Sequence, residues 1–299
     1  MTSDPSSADA GGLPAGDAGL PPSVPHGWWR RQRWLILRRC CQFGLLGLFM
    51  LGPWAGIWWA KGNLAASTWF DVLPLADPFI ALQTLLAVGT LTTTAVLGAG
   101  LITGFFWLVG GRVFCSWVCP VNVITDAAHW CRERLRLPPG WRPRRDLRLW
   151  LLGTCLVTAA VTGTLVWELV NPVTLVHRAA VFGVGLGWLI VVAVFAFDFL
   201  VSRRGWCSHL CPVGAFYGLL GATSPLRMAA AAREACTDCG ECFEVCPEPH
   251  VITPALRGNG TRIVTAGDCT NCGRCIDVCA DDVFRFTLRY GYDRRHGHP

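Results

Sequence analysis

Four stretches of the chain run without charge for long enough to matter: Cys40 to Ala60, a segment within Phe79 to Gly110, Leu149 to Trp167, and Ala179 to Val201, the last interrupted only by Asp198. A hydrocarbon core about 30 Å thick takes roughly 20 helical residues to cross. Each run therefore predicts one transmembrane helix. The second is long enough to begin with a tilted or half-buried stretch. The first exceeds a secretory apolar region and carries no small-residue cleavage site, so it reads as an uncleaved anchor. Ahead of it, residues 1–27 are rich in Pro, Gly, Ser, Ala and Asp and predict a disordered tail. The next stretch, "GWWRRQRWLILRRC", interleaves Arg30, Arg31, Arg33, Arg38 and Arg39 with tryptophans, as a segment lying at a headgroup boundary would.

Composition agrees with this pattern. Apolar residues make up 52% of the 299 and charged residues 15%, which is too oily for an ordinary soluble domain. The net charge of +6 comes almost wholly from arginine. Five arginines precede the first run and seven lie between residues 112 and 146, whereas the segments 61–78 and 168–178 hold one basic residue each. By the positive-inside rule both termini and the 112–146 loop face the cytoplasm. The charge is thus read as topological, and no nucleic-acid partner is expected. The predicted organisation is a tail (1–27), an all-α polytopic membrane domain of four helices (28–223), and a small cysteine-rich α+β unit (224–299).

That last unit carries the clearest chemistry. "CTDCGECFEVCP" (236–247) and "CTNCGRCIDVCA" (269–280) each read C-x2-C-x2-C-x3-C. In a reducing compartment eight such thiols point to metal thiolates in place of disulfides. The spacing is the one that wraps a cubic [4Fe-4S] cluster, three cysteines holding one cluster and the fourth reaching across to the other. Cys236, Cys239, Cys242 and Cys279 are expected on one cluster, and Cys269, Cys272, Cys275 and Cys246 on the second. Zinc ribbons use isolated C-x2-C pairs and fit less well. Pro247 follows the first run, but Ala280 stands where the second would carry proline. Gly240 and Gly273 let the backbone turn tightly beside the inorganic core. The unit resembles bacterial two-cluster ferredoxins, which implies a pair of short hairpins with two helices.

A second cysteine set is duplicated. "GRVFCSWVCPV" holds Cys115 and Cys119, and "RRGWCSHLCPV" holds Cys207 and Cys211, each pair followed by proline and offset by 92 residues. The membrane part therefore reads as two parallel copies of helix, helix, C-x3-C-P. C-x3-C sets both thiols on one helical face. Two such pairs brought together make a four-thiolate site for an iron–sulfur centre or another thiophilic metal, or a pair of dithiol relays. Cys40, Cys41, Cys131 and Cys155 show no spacing and read as buried small residues.

From about residue 28 to 289 the chain resembles the NapH family, the polytopic iron–sulfur component of quinol dehydrogenases serving periplasmic nitrate reduction. The likeness rests on "GWWRRQRWLILRR", "FDVLPLADPF", "GRVFCSWVCPVNVITD", "GTLVWELVNPV", "WCSHLCPVGAFYGLLG", "CPEPHV" and "DCTNCGRCIDVCADDVF". Related membrane polyferredoxins of the NosR and CcoG types share chiefly the cysteine runs. The resemblance implies four transmembrane helices in the bacterial inner membrane, cytoplasmic ends, two [4Fe-4S] clusters, and electron flow from the quinol pool. The implied acceptors are a periplasmic ferredoxin partner of the NapG type, then c-type cytochromes and nitrate reductase.

Quinol oxidation needs a polar acceptor beside an apolar slot. Glu168, Asn171 and His177 in "WELVNPVTLVHR" are candidates, with Asp71 and Asp77 in the first loop. Asp198 lies inside an apolar run, where a carboxylate costs about 2.5 to 3.5 kcal/mol on insertion scales. It should face inward, as a proton relay or as the partner of an arginine such as Arg203. Of seven histidines only His177 is near a predicted helix, so no haem b is expected, and no phosphate loop is found. Two function classes remain: an electron-transfer subunit fed by quinol, and an accessory factor of CcoG-like layout whose thiol pairs reduce or deliver a metal.

Overall fold

The computed structural model describes residues 27–292 apart from 139, 142, 184, 186 and 259. The predicted 1–27 tail lies, save for Gly27, outside the described residues. Helix α1 (Trp28–Ala55) ends at Gly56, which takes a left-handed conformation and returns its N–H to the Gly52 carbonyl. Among the described residues α1 is the one helix long and apolar enough to cross a membrane by itself.

The second predicted span divides. Strands β1 (Ala60–Gly62), β2 (Ala66–Trp69) and β3 (Leu73–Ala76) form an antiparallel sheet in chain order. Helices α2 (Pro78–Val88) and α3 (Thr93–Val109) follow as separate elements. The all-α expectation for this part is corrected by the sheet. Its turns are made by local polar chemistry: Asn63 accepts the N–H groups of Ala65 and Ala66, and Phe70 and Asp71 both take positive φ. The half-buried start expected of this run is α2, which ends where Gly89 adopts a φ of 78°, and Thr92 then caps α3 through the Ala95 N–H. Hydropathy alone does not register such a stop and start.

Helix α4 (Val113–Trp117) carries Cys115, and the buried Cys119 stands just before α5 (Val121–Arg134), so the first C-x3-C segment lies in the interior. The third apolar run forms α6 (Leu147–Thr162), capped by left-handed Gly163, and is followed by α7 (Val166–Val170) and α8 (Pro172–Phe182). The fourth run is broken as the second was: α8 stops at Gly183, and α9 (Gly187–Ala196) begins afterwards. Two single π turns, Phe197–Val201 and Trp206–Leu210, separate α9 from α10 (Pro212–Ala222). A π turn widens the helical ring and recurs at functional sites. Here the first turns Asp198 wholly inward onto the Trp206 N–H, and the second carries Cys207.

Helices α2 and α8 share one plan. Asp77 caps α2 through the Phe79 N–H (2.8 Å) and Asn171 caps α8 through the Val173 N–H (3.0 Å). Each helix has proline at its start, eleven residues, and a left-handed glycine after it. At about 16 Å long, each is half a membrane crossing. Their N-terminal ends lie in the protein interior: Phe79 is fully buried and packs on Trp167 and Phe216, while Gln83 accepts the Trp167 N–H.

The C-terminal unit contains β4 (Leu226–Ala230), α11 (Glu241–Val245), α12 (Thr253–Arg257), α13 (Arg274–Val278) and β5 (Phe284–Leu288). Strands β4 and β5 pair antiparallel, Met228 opposite Phe286. Where the ferredoxin likeness implied a second hairpin, Ile263 makes a single bridge to Ala229, because α12 takes up much of the connection. The apolar core of the unit gathers Val251, Ile252, Leu256, Val264, Val283 and Phe284.

The arginine arm makes specific contacts within the protein. Arg30 bonds Asp282, Arg31 bonds Glu241, and Arg33 approaches Asp277 at 3.6 Å. Arg38, almost fully buried, donates to the Ser116 carbonyl and Asn122, and Arg39 pairs with Asp126. These cations meet carboxylates and carbonyls of the protein, so the start of α1 docks the C-terminal unit. Trp34 completes that contact, its ring against Trp117 and Phe286 and its backbone N–H on buried Asp277.

Candidate metal centre

Two cavities in the C-terminal unit are walled by cysteine. One gathers Cys246, Cys269, Cys272 and Cys275 with Met228, Val251 and Val264. The other gathers Cys236, Cys239, Cys242 and Cys279 with Phe243, Leu256 and Phe284. Both owe their shape to the same local backbone. Asp238 and Gly240 in one loop, and Asn271 and Gly273 in the other, take positive φ, which curls each loop tightly round its cysteines. At Gly273 space enforces glycine as well, since a Cβ there would stand 2.5 Å from the Trp34 ring.

The donor sets fit a multi-iron cluster better than a single ion. Four thiols stand round each common space, whereas among the described residues no group of three or more His, Cys, Asp and Glu is spaced to chelate one metal ion. Burial pushes the Cys242 thiol up to about 12, with neighbouring cysteines adding to it, and the Cys269 thiol up to about 11. Thiolates in these cavities therefore need a cationic centre to stabilise them, and loading releases protons.

The duplicated C-x3-C cysteines also converge. Cys115, Cys119, Cys207 and Cys211 lie within electrostatic reach of one another, and the Cys207 thiol is 3.9 Å from the Thr125 hydroxyl. The Cys115–Cys119 segment abuts the second C-terminal loop directly. Ser116 donates to the Thr270 carbonyl (2.8 Å) and the Trp117 indole N–H to the Asn271 carbonyl (3.3 Å). Arg112, 2% exposed, ties the two together by donating to the Cys207 carbonyl (3.0 Å), the Asp268 carbonyl (3.2 Å) and Glu248 (3.2 Å). Arg148 and His250 also bond Asp268. Burial works to raise the Asp268 carboxyl, but His250 and the two arginines outweigh it and hold it well below the usual carboxylate range.

The acid–base candidates scatter. Asp71 pairs with Lys61 at the surface. Glu168 accepts from Asn171, and His177 is buried against the Phe49 ring, both ring nitrogens without a partner among the described residues. Asp198 is held by the Trp206 N–H, while Arg203 reaches His129, Glu133 and the Glu244 carbonyl. Asp77 alone of these lines a cavity of about 620 Å³, walled mainly by apolar and aromatic side chains of α1, the sheet, α3 and α4, with Tyr217 of α10. The sequence reading missed Arg112, Asp268 and Tyr217. Arg112 had one signal, a lone charge between an apolar run and a cysteine pair; Tyr217, in an apolar helix, had none.

Comparison with known proteins places these features in context. The family described as "4Fe-4S binding domain" matches residues 91–138 and again 184–227, and "4Fe-4S dicluster domain" matches 228–280. The methylamine utilization ferredoxin-type protein MauN of Methylorubrum extorquens is 52% identical over 263 residues, 88% of this chain and 92% of its own. MauN of Paracoccus denitrificans is 54% identical over 88% of this chain and 93% of its own. The ferredoxin-type protein NapH of Escherichia coli is 49% identical over 92% of this chain and 96% of its own. No solved structure matches.

Proposed function

Because this chain belongs to the family of ferredoxin-type iron–sulfur proteins that includes NapH and MauN, we propose that it is a membrane-bound quinol dehydrogenase component. It takes electrons from the quinol pool and passes them, through a NapG-type ferredoxin and c-type cytochromes, toward a periplasmic nitrate reductase. The observation that supports this reading is the direct hydrogen bonding of the Cys115–Cys119 segment to the Cys269–Cys272 turn, which sets the duplicated cysteine segment against a cysteine-lined cavity.

In this reading Cys236, Cys239, Cys242 and Cys279 hold one [4Fe-4S] cluster and Cys246, Cys269, Cys272 and Cys275 the other. Bound there, the clusters supply one-electron carriers. The chain contributes the thiolates and the Val283 N–H on the Cys279 sulfur at 3.4 Å. Helices α1, α3, α6 and α9 with its π turn cross the inner membrane, α2 and α8 enter it half way, and both termini are cytoplasmic. Support for a duplicated membrane unit comes from the twofold match of one family, the 92-residue cysteine offset, and the shared plan of α2 and α8. The domains are then 28–223 and 224–299. The higher identity to two MauN proteins favours a second reading of the partner alone, in which the same path serves methylamine utilization.

The test is anoxic purification followed by addition of duroquinol. Bleaching of cluster absorbance with reduced-cluster EPR signals supports electron transfer. If quinol never reduces the clusters while copper or iron binds tightly to the C-x3-C pairs, the chain is an accessory factor instead.

A further inference from the structure

The cavity of about 620 Å³ has a particular wall. Leu45, Phe49, Leu101, Phe105, Phe106 and Phe114 make most of it, and Leu101 and Phe105 are half exposed on the outer face, so the cavity opens sideways toward lipid. The volume is that of a small-molecule site. Polar residues interrupt the apolar lining at Asp77, Tyr217 and Ser67, the last accepting the Trp69 indole N–H. Tyr217, 0% exposed, stands in the cavity wall, and among the described residues its hydroxyl has no hydrogen-bond partner, whereas buried hydroxyls are ordinarily satisfied. Asp77, 9% exposed, lines it with a carboxylate fixed in place by the helix cap it makes.

A lipid acyl chain would satisfy neither group. The pair asks for a ligand with an apolar body and a head that both donates and accepts. A quinol hydroxyl donates to a carboxylate and accepts from a phenol. The site also stands beside the thiols: Tyr217 stacks on Phe114 with ring centroids 4.9 Å apart, and Phe114 precedes Cys115 in α4. Tyr217 lies within electrostatic reach of Asp77 on one side and of Cys115 and Cys119 on the other.

We propose that this cavity is the quinol site, Asp77 accepting the hydroxyl proton and Tyr217 positioning the head by donating to its second oxygen; the inference rests on the reading of quinol as electron donor. Each O–H bond that breaks sends its proton to the Asp77 carboxylate and its electron to an oxidised iron–sulfur centre, and two such events convert quinol to quinone. Asp77 releases each proton before accepting the next, by way of Glu168, which is within its electrostatic reach and only half buried.

The test uses the full chain in lipid nanodiscs, with menadione binding read as quenching of tryptophan fluorescence, since Trp69 and Trp117 also line the cavity. Tyr217→Phe keeps the ring stack and is expected to weaken menadione binding about tenfold. Asp77→Asn keeps the helix cap and is expected to slow cluster reduction by duroquinol about a hundredfold. Leu101→Trp narrows the entrance and is expected to weaken binding as well. Each variant is first checked for unchanged iron content and unchanged EPR after dithionite. If the wild type is reduced by duroquinol but all three variants bind and react like it, quinol is oxidised elsewhere and the inference fails while the electron-transfer reading stands. If the wild type neither binds menadione nor is reduced, the underlying reading fails and takes the site with it. If the cavity retains lipid that menadione does not displace, the site is a lipid groove and the inference is overturned.

Discussion

Arg112 offers the sharpest test of how the two halves of the molecule are joined. Its guanidinium is 3.2 Å from Glu248 and 3.8 Å from Asp268, with all three groups largely out of water. At an effective dielectric near 20, those separations correspond to roughly 5 and roughly 4 kcal/mol of Coulomb attraction, most of it offset by the cost of desolvating the ions. Removing the cation leaves the Glu248 carboxylate buried, with the His250 ring 3.6 Å away. Breaking a buried pair in this way costs about 3 to 5 kcal/mol. For a chain of this size that is a fall of roughly 10 °C in the unfolding midpoint. Arg112→Met should therefore release the C-terminal unit from the membrane part, read as loss of cluster absorbance on heating and as protease sensitivity near residue 225. Arg112→Lys keeps the charge but not the fork and should lose less. Adding Glu248→Gln to Arg112→Met should recover part of the loss, a coupling of about 1 kcal/mol or more. A midpoint for Arg112→Met within about 1 °C of the wild type would refute the reasoning.

Further outcomes follow from other contacts. Gly273→Ala drives a Cβ into Trp34 at a positive φ, and should cost roughly 1–3 kcal/mol and loosen α1 from the cluster unit, measured by thermal bleaching. His129, 6% exposed, is held down to about 3 by burial, with Arg204 and Arg203 adding to it. Its folded value lies below the unfolded one, so the unfolded chain binds the extra proton. Its stabilising effect is complete above about pH 6.5 and is lost as pH falls from there toward about 3, at up to about 1.4 kcal/mol per pH unit. Denaturant titrations from about pH 8 to about pH 5 should show that slope, and His129→Gln should flatten it. Arg227 is fully buried within reach of the Cys269 charge, so Arg227→Met should lower the potential of the adjacent cluster by tens of mV in a redox titration.

How much was legible in the sequence depended on whether the signal was local. Cysteine spacing is chemistry written along the chain, and Cys236, Cys239, Cys242 and Cys279 line one cavity just as that spacing groups them. The inward turn of Asp198 was readable because a charge inside an apolar run has few other places to go. The apolar runs themselves misled. Gly89 and Gly183 each end a helix through a single backbone angle, a feature that hydropathy averages away. The arginine arm has a second role that charge counting does not show: its cations meet Asp126, Asp277 and Asp282, residues brought near only by the fold. Tyr217 drew no notice because its meaning lies in an orphaned hydroxyl, which exists only once α3, α4 and α10 have packed.

The central claim is that the eight C-terminal cysteines hold two electron-carrying clusters. EPR spectroscopy with iron and sulfide analysis of the anoxically purified, dithionite-reduced full chain tests it most directly. The account expects about eight iron and eight sulfide from the C-terminal unit and the broadened signal of two reduced, magnetically interacting [4Fe-4S] clusters. A colourless, iron-free chain, or one holding only zinc, would contradict it.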